Sequence, residues 1–159
     1  MRSRIRIYEI KNEYIRYLGN YQKHIFGQTE GEKRRKHIGV VLEIQGVKYY
    51  APLSSYKTKH KKMKETIDFL KIKEWAVINL NNMIPVPESQ IVEIDINQEK
   101  DPSYRYLLQA ESREVNRQKN RIKKNAEIVY RHKKINGNST VLAKRSNDFE
   151  LLEKICREY

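Results

Sequence analysis

Cysteine is almost missing from this chain of 159 residues, in which Cys156 stands alone. That excludes an internal disulfide and a zinc site built on thiolates, and it makes a reducing cytoplasm the expected compartment. Long apolar runs are missing as well: nothing approaches the roughly 20 apolar residues of a membrane span. The opening Met1-Arg2-Ser3-Arg4-Ile5-Arg6-Ile7-Tyr8 alternates charged and apolar residues and is not followed by the apolar run of a secretory signal. A soluble protein with no membrane association is expected. Common catalytic signatures are absent too: no P-loop, no Gly-x-Gly-x-x-Gly, no Gly-x-Ser-x-Gly and no His-Glu-x-x-His. His24, His37, His60 and His132 are scattered without the close pairing of metal ligands. Neither a metal nor a cofactor is expected.

What the chain has in excess is positive charge. Thirty-three Lys and Arg against 20 Asp and Glu give a formal charge of +13, a field that attracts polyanions and speeds their encounter. The charge is unevenly placed. Residues 30–64 carry 10 basic and 3 acidic side chains, residues 111–145 carry 11 and 3, and the intervening 65–103 carry 3 and 8. Such segregation points to basic faces on particular elements rather than to solubility alone. Nucleic acid is therefore preferred to an anionic membrane as the partner.

The length suits one domain, and although only 38% of residues are hydrophobic, they cluster in periodic runs, as in a folded chain. Ile5 and Ile7 alternate with Arg4 and Arg6, the period of a half-buried strand. Residues 12–18 form a short helix with Tyr14, Ile15 and Leu18 inward, stopped by Gly19-Asn20. Residues 27–36 form a polar loop whose Lys33-Arg34-Arg35-Lys36 run suits phosphate contact. Residues 37–44 and 47–53 are β-branched runs around Gln45-Gly46 and read as a hairpin in which Val40, Leu42 and Ile44 share a face. Pro52, lacking an N–H, is expected to end that pairing. Residues 57–71 then read as a basic amphipathic helix through Met63, Ile67 and Leu70, and residues 75–80 and 91–96 as strands. Asp101-Pro102-Ser103 starts one long helix, or two broken near 116–120. Residues 136–139 are a turn, after which Asn147 caps a last helix with Glu150 in a capping box. The fold class is α+β: a β-rich core over about 1–97 and a helical region over about 102–159, in a single domain.

The most informative stretch runs from Ala51 to His60, Ala-Pro-Leu-Ser-Ser-Tyr-Lys-Thr-Lys-His. It places two hydroxyls, an aromatic ring and several cations where a strand gives way to a helix. Cleavage of RNA by its own 2′-OH needs that hydroxyl deprotonated, the phosphate oxygens stabilised and the leaving 5′ oxygen protonated. Hydroxyls and lysines can position and stabilise such a phosphate. Spacing alone leaves capping of the next helix by Ser54 or Ser55 equally open. Glu111 and Glu114, one helical turn apart, are read as ion-pair partners of the basic residues around 113–119. The eleven tyrosines are mostly amphipathic core, with Tyr49 or Tyr50, and Tyr56, as candidates for stacking on bases. Cys156 is read as a small core residue.

Residues 37–55, His-Ile-Gly-Val-Val-Leu-Glu-Ile-Gln-Gly-Val-Lys-Tyr-Tyr-Ala-Pro-Leu-Ser-Ser, with Lys57 and His60 after them, closely resemble the ToxN/AbiQ family, the endoribonuclease toxins of type III toxin–antitoxin systems. The resemblance extends to Tyr14-Ile15-Arg16-Tyr17-Leu18 and to residues 78–87, and it weakens after Leu108. It implies a small antiparallel β-barrel of MazF/Kid type with added helices. It also implies metal-independent cleavage of adenine-rich RNA that leaves a 2′,3′-cyclic phosphate, and a role in phage-triggered growth arrest.

By position, the resemblance makes Ser55 the essential hydroxyl, with Ser54, Lys57 and Arg35 at the phosphate; Lys36, beside Arg35, is the alternative cation. Lys33, Arg34, Lys36, Tyr56, Lys59, His60 and Lys61 are expected to contact RNA. The implied partner is a small, repeated, structured RNA antitoxin that the toxin processes and that then occupies its site. Cellular and phage mRNAs would be the other substrates. A second RNA contact through Lys119, Arg121, Lys123 and Lys124 would close a ring of alternating toxin and RNA, with the acidic middle facing away from both. A non-catalytic RNA-binding protein, which would need the charge and not the hydroxyl pair, is the rival reading; a DNA regulator is disfavoured by the absence of a clear helix-turn-helix.

Overall fold

The computed structural model describes residues 3–23, 25 and 35–159. In chain order its elements are β1 (Arg6–Ile10), α1 (Asn12–Gly19), β2 (Lys36–Ile44), β3 (Val47–Ser55), α2 (Thr58–Lys62), β4 (Phe69–Ile72), β5 (Ala76–Asn79), β6 (Ile84–Pro85), β7 (Ile91–Glu93), α3 (Pro102–Arg117), α4 (Lys119–Asn136), α5 (Val141–Arg145) and α6 (Phe149–Glu158). The strands form one antiparallel sheet in the order β4-β5-β3-β2-β1-β7, with β6 paired to β3 beside that path. The α+β class is as expected, but the barrel is not closed. Among the described residues β4 and β7 remain the two ends of the sheet. These end strands are only four and three residues long, and α3 packs against both β4 and the 3-10 turn that follows β7. A helix thus stands where a closing strand pair would have to be.

The hairpin of β2 and β3 is the centre of the sheet. Its turn residues Gln45 and Gly46 have φ of 48° and 82°, the pair of left-handed positions that matches the twist of two-residue hairpins. Between Gly39 and Leu42 the register of β2 shifts, so strict alternation fails there and Val41 is buried while Val40, Leu42 and Ile44 are only partly so. Pro52 does not end the pairing. It stays opposite His37, and β3 continues to Ser55 by pairing Leu53, Ser54 and Ser55 with Ile78, Val77 and Ala76 of β5. The proline falls where β3 exchanges β6 for β5 as its second neighbour, so its missing N–H leaves no ladder position empty.

The long basic helix expected over 57–71 is also replaced. Only α2 is helical, and Phe69–Ile72 is strand β4. Thr66 ends the helical option: its hydroxyl donates to Asp68 Oδ1 and accepts from Phe69 N–H, and Leu80 N–H donates to the Asp68 carbonyl. That side-chain turn starts β4, which sends Leu70 and Ile72 into the core and Phe69 to the opposite face. The helix from Asp101 is two helices, broken at Gln118. Asp148 caps α6 in place of Asn147, whose amide donates instead to the Met83 carbonyl. The chain before it contains a further helix, α5.

Tyr14, Tyr49, Tyr50 and Phe149 are among the largest fully buried side chains. Tyr14 Oη donates to the Pro85 carbonyl at 2.6 Å and Tyr130 Oη to Glu153 at 2.7 Å, which satisfies the polar ends of rings that supply apolar area. Tyr49 and Tyr50 are thus core residues and not base-stacking ones. Cys156 is buried as expected.

Candidate active site

Register explains why the candidate residues meet. His37 lies opposite Pro52 and Ile38 opposite Ala51; two steps further out, the same antiparallel count sets Arg35 across from Ser54. There Arg35 Nη1 donates to Ser54 Oγ at 2.7 Å. Burial draws the Arg35 pKa down from its ordinary value, yet a guanidinium stays charged at any pH of interest. Ser54 is half-buried, and Ser55, the last residue of β3, is exposed.

Lys36 is engaged elsewhere. Its Nζ is 2.8 Å from Glu111 Oε1 and 5.4 Å from the centre of the Tyr104 ring. Burial pushes the Glu111 carboxyl up, and Lys36 pulls it back. Of the two adjacent cations, Arg35 is therefore the one that reaches Ser54, while Lys36 pins the start of β2 to α3. Glu114 pairs with Arg117, as its sequence neighbours suggested.

Beyond Ser55 the chain turns into α2. The Lys57 backbone N–H donates to His60 Nδ1 at 2.7 Å, and the imidazole lies between the rings of Tyr56 and Phe69, 5.7 Å from each. Neither Ser54 nor Ser55 caps α2; its N-cap position is Lys57. The hydroxyls are thus not used up by the helix, which was the competing explanation for them.

Arg35, Lys36, Ser54, Ser55, Lys57, Lys59 and His60 all line one cleft of about 780 Å³, whose apolar floor includes Leu53, Phe69 and Val77. A second cleft of about 1000 Å³ shares Met63 with the first and carries Tyr56, Lys61, Lys62, Lys64, Lys71, Lys73, Arg117 and Arg121. The sequence reading missed Lys62, Lys64, Lys71 and Lys73 as contributors. Their concentration was visible, but without the turn at Thr66 they belonged to one helix rather than to a groove wall. Glu111 and Tyr104 were missed as partners of Lys36 because only tertiary packing brings α3 to β2.

The C-terminal basic residues are dispersed in role. Arg121 pairs with Glu65 at 3.0 Å and lines the second cleft, Lys123 donates to the Ser3 carbonyl, and Lys119 and Lys124 lie on α4 outside both clefts. Lys33 and Arg34 lie outside the described residues. The acidic middle does not face away from the basic segments: Glu65 and Glu74 line the second cleft and Glu99 the first, while Asp68 and Glu93 pair with Arg145 and Arg6. Among the described residues no group of His, Cys, Asp and Glu could hold a metal ion, and no helix is long and apolar enough to cross a membrane.

The two basic clefts place a guanidinium-bound hydroxyl, a second hydroxyl and a lysine at the head of the first, groups of the kind that can hold a phosphate. The chain belongs to the ToxN toxin family of type III toxin–antitoxin systems, whose family model matches residues 6–157. Endoribonuclease ToxN of Bacillus thuringiensis subsp. kurstaki is 29% identical over 97% of this chain and 84% of its own length. Endoribonuclease AbiQ of Lactococcus lactis subsp. lactis is 30% identical over 96% of the chain and 88% of its own. A solved structure of AbiQ, described as a lactococcal anti-phage endoribonuclease of a type III system, aligns with a TM-score of 0.86 at 27% identity, covering 99% of this chain and 98% of that one. A second solved structure, from work on selective toxin inhibition by a non-coding RNA pseudoknot, matches with the same values.

Proposed function

We propose that this chain is a cytoplasmic endoribonuclease toxin, a single catalytic domain that cuts adenine-rich RNA without a metal. The substrate's 2′ oxygen bonds to phosphorus, the bond to the 5′ oxygen breaks, and a 2′,3′-cyclic phosphate remains. Ser55 is the essential hydroxyl, Arg35 and Ser54 hold a phosphate oxygen as a unit, and Lys57 stabilises the charge that grows in the transition state. The observation that carries this reading is the 2.7 Å contact of Arg35 with Ser54 at the head of the cleft. It aims a cation at a hydroxyl that no helix cap uses. The MazF/Kid-type likeness remains in this reading as an expectation about the antiparallel core, without closure.

The inhibitor in this reading is a small, repeated, structured RNA that the same site has cut and that stays in the clefts. The relative solved with inhibition by an RNA pseudoknot supports such a partner, as does the run of lysines from the first cleft into the second. Lys119, Arg121, Lys123 and Lys124 meet the next RNA unit and close the ring. Release of the toxin in phage-infected cells exposes cellular and phage mRNA to cleavage.

The test is incubation of the free protein and its Ser55→Ala variant with adenine-rich RNA in EDTA. Cleavage by the parent protein alone, with cyclic-phosphate ends, is the expected result. RNA retention without cleavage by either would return the protein to the non-catalytic RNA-binding class, and loss with EDTA alone would remove the metal-free route.

A further inference from the structure

Resting on the nuclease reading above, we infer that His60 is a further catalytic residue: a neutral imidazole that fixes the backbone at Lys57 through Nδ1 and donates its Nε2–H to an oxygen of the scissile phosphate. The assignment follows from one hydrogen bond. Lys57 N–H points at His60 Nδ1 at 2.7 Å, so Nδ1 is an acceptor and the ring proton must sit on Nε2. His60 lines the cleft that holds Ser54, Ser55 and Lys57, and its Nε2 has no protein acceptor among the described residues. The rings of Tyr56 and Phe69 confine the imidazole on two sides, so the donor direction is preset.

The same geometry excludes a different role. A general acid would have to be an imidazolium, but protonation at Nδ1 would set two N–H groups against each other at 2.7 Å. Charges from every side oppose it: Lys57 and Lys59 at the α2 turn and Lys71 on β4 all disfavour the cation, as does burial, which is the largest effect. A neutral imidazole keeps its N–H, so it contributes a hydrogen bond to the phosphate oxygens and does not transfer a proton. Its two nitrogens serve different ends. One holds the turn that presents Lys57, and the other faces the substrate.

Two substitutions separate these ends. In His60→Asn the side-chain oxygen can take the place of Nδ1 and keep the Lys57 N–H occupied, while the distal donor is lost. In His60→Gln the distal N–H is kept while the proximal acceptor is lost. With an adenine-rich oligoribonucleotide, H60N is expected to lower kcat by about 100-fold, the scale for removing one donor to a developing oxyanion, with KM little changed. H60Q is expected to retain more of kcat than H60N does and to raise KM. The pH–rate profile of the parent protein should fall below an inflection that lies under the ordinary histidine range, and this inflection should vanish in both variants. The inference is overturned if the parent cleaves and H60N cleaves equally well, or if the parent's rate instead rises as pH drops through that inflection, as an imidazolium acid would require. Should H60N fail to fold by circular dichroism, the pH profile of the parent protein decides by itself. A parent protein that cleaves no RNA at any pH would instead refute the nuclease reading.

Discussion

Lys36 and Glu111 form a buried ion pair, 2.8 Å apart, with the carboxylate side chain only 2% exposed and the ammonium 15%. It ties the first residue of β2 to α3 and so fixes the neighbouring Arg35 beside Ser54. Lys36→Met should strand the carboxylate and cost about 3 kcal/mol at neutral pH, the scale for breaking one side of a buried pair. The sign of the pH dependence follows from the direction of the Glu111 shift. Its folded pKa is raised above the ordinary 4.5, so its contribution to stability is fully present below that value and is lost as pH rises through the folded pKa. Removing Lys36 enlarges the upward shift. The penalty of Lys36→Met, measured by urea unfolding, should therefore grow as pH rises through the folded pKa and shrink toward the ordinary 4.5, and adding Glu111→Leu should recover most of it.

Arg35 and Ser54 should behave as one unit. In a double-mutant cycle on cleavage rate, Ser54→Ala should cost distinctly less in an Arg35→Ala background than in the parent, with a coupling of about 1 kcal/mol for residues in direct contact. Additive losses would mean that the contact at 2.7 Å is not maintained during turnover. Arg35→Lys should not restore activity, since a point charge cannot replace the guanidinium fork.

In the second cleft one cation is already paired with a carboxylate. Glu65 accepts from Arg121 at 3.0 Å, and that hydrogen bond is the main reason its carboxyl sits below the ordinary value. Glu65→Gln should free Arg121 for phosphate and tighten RNA binding, whereas Arg121→Gln should weaken it and lower the slope of log K against log salt by about one. Fluorescence anisotropy across a salt series with uncleavable 2′-O-methyl RNA would measure both. Identical slopes in the two variants would remove the second cleft from the RNA path.

Gly39 is required by a close approach and not by a turn. A Cβ there would meet Tyr50 Cδ2 at 2.2 Å, and Tyr50 cannot retreat because Tyr8 packs edge-on against it at 5.2 Å. Gly39→Ala should lower stability by about 3 kcal/mol, at the high end for overpacking a core. Thermal unfolding would show a drop in Tm even at pH values where the ion pairs are unaffected.

Asp68 and Arg145 form an ion pair at 2.7 Å. Burial raises the Asp68 carboxyl, but hydrogen bonds from Arg145 and Thr66 outweigh it and leave the pKa below its ordinary 3.8. A depressed carboxylate contributes stability above its unfolded pKa and loses it as pH falls through the folded one. Arg145→Ala should cost about 2 kcal/mol at pH 7, discounted from a fully buried pair because the arginine is 43% exposed. The difference from the parent should shrink as pH falls below 3.8 and through the lowered folded pKa, where the carboxyl takes up its proton.

The sequence alone determined the hairpin, because β-branched runs around Gln45-Gly46 leave few other solutions, and it determined the helical character from Asp101 onward, because apolar spacing is local, while α5 and the Asp148 cap came only with the structure. It also marked the Ser54-Ser55-Lys57 cluster as chemical in character, and the family resemblance supplied the reason to prefer catalysis to capping. Only the tertiary structure decided the rest. Pro52 stays in the sheet because β3 changes neighbours there, and residues 69–72 are strand because β5 and the Thr66 turn outweigh helical spacing. Arg35 reaches Ser54 and Lys36 does not because Glu111, seventy-five residues along the chain, claims the lysine. Local pattern fixes which backbone forms are cheap, but side chains distant in sequence fix which of two adjacent cations turns to the Ser54 hydroxyl.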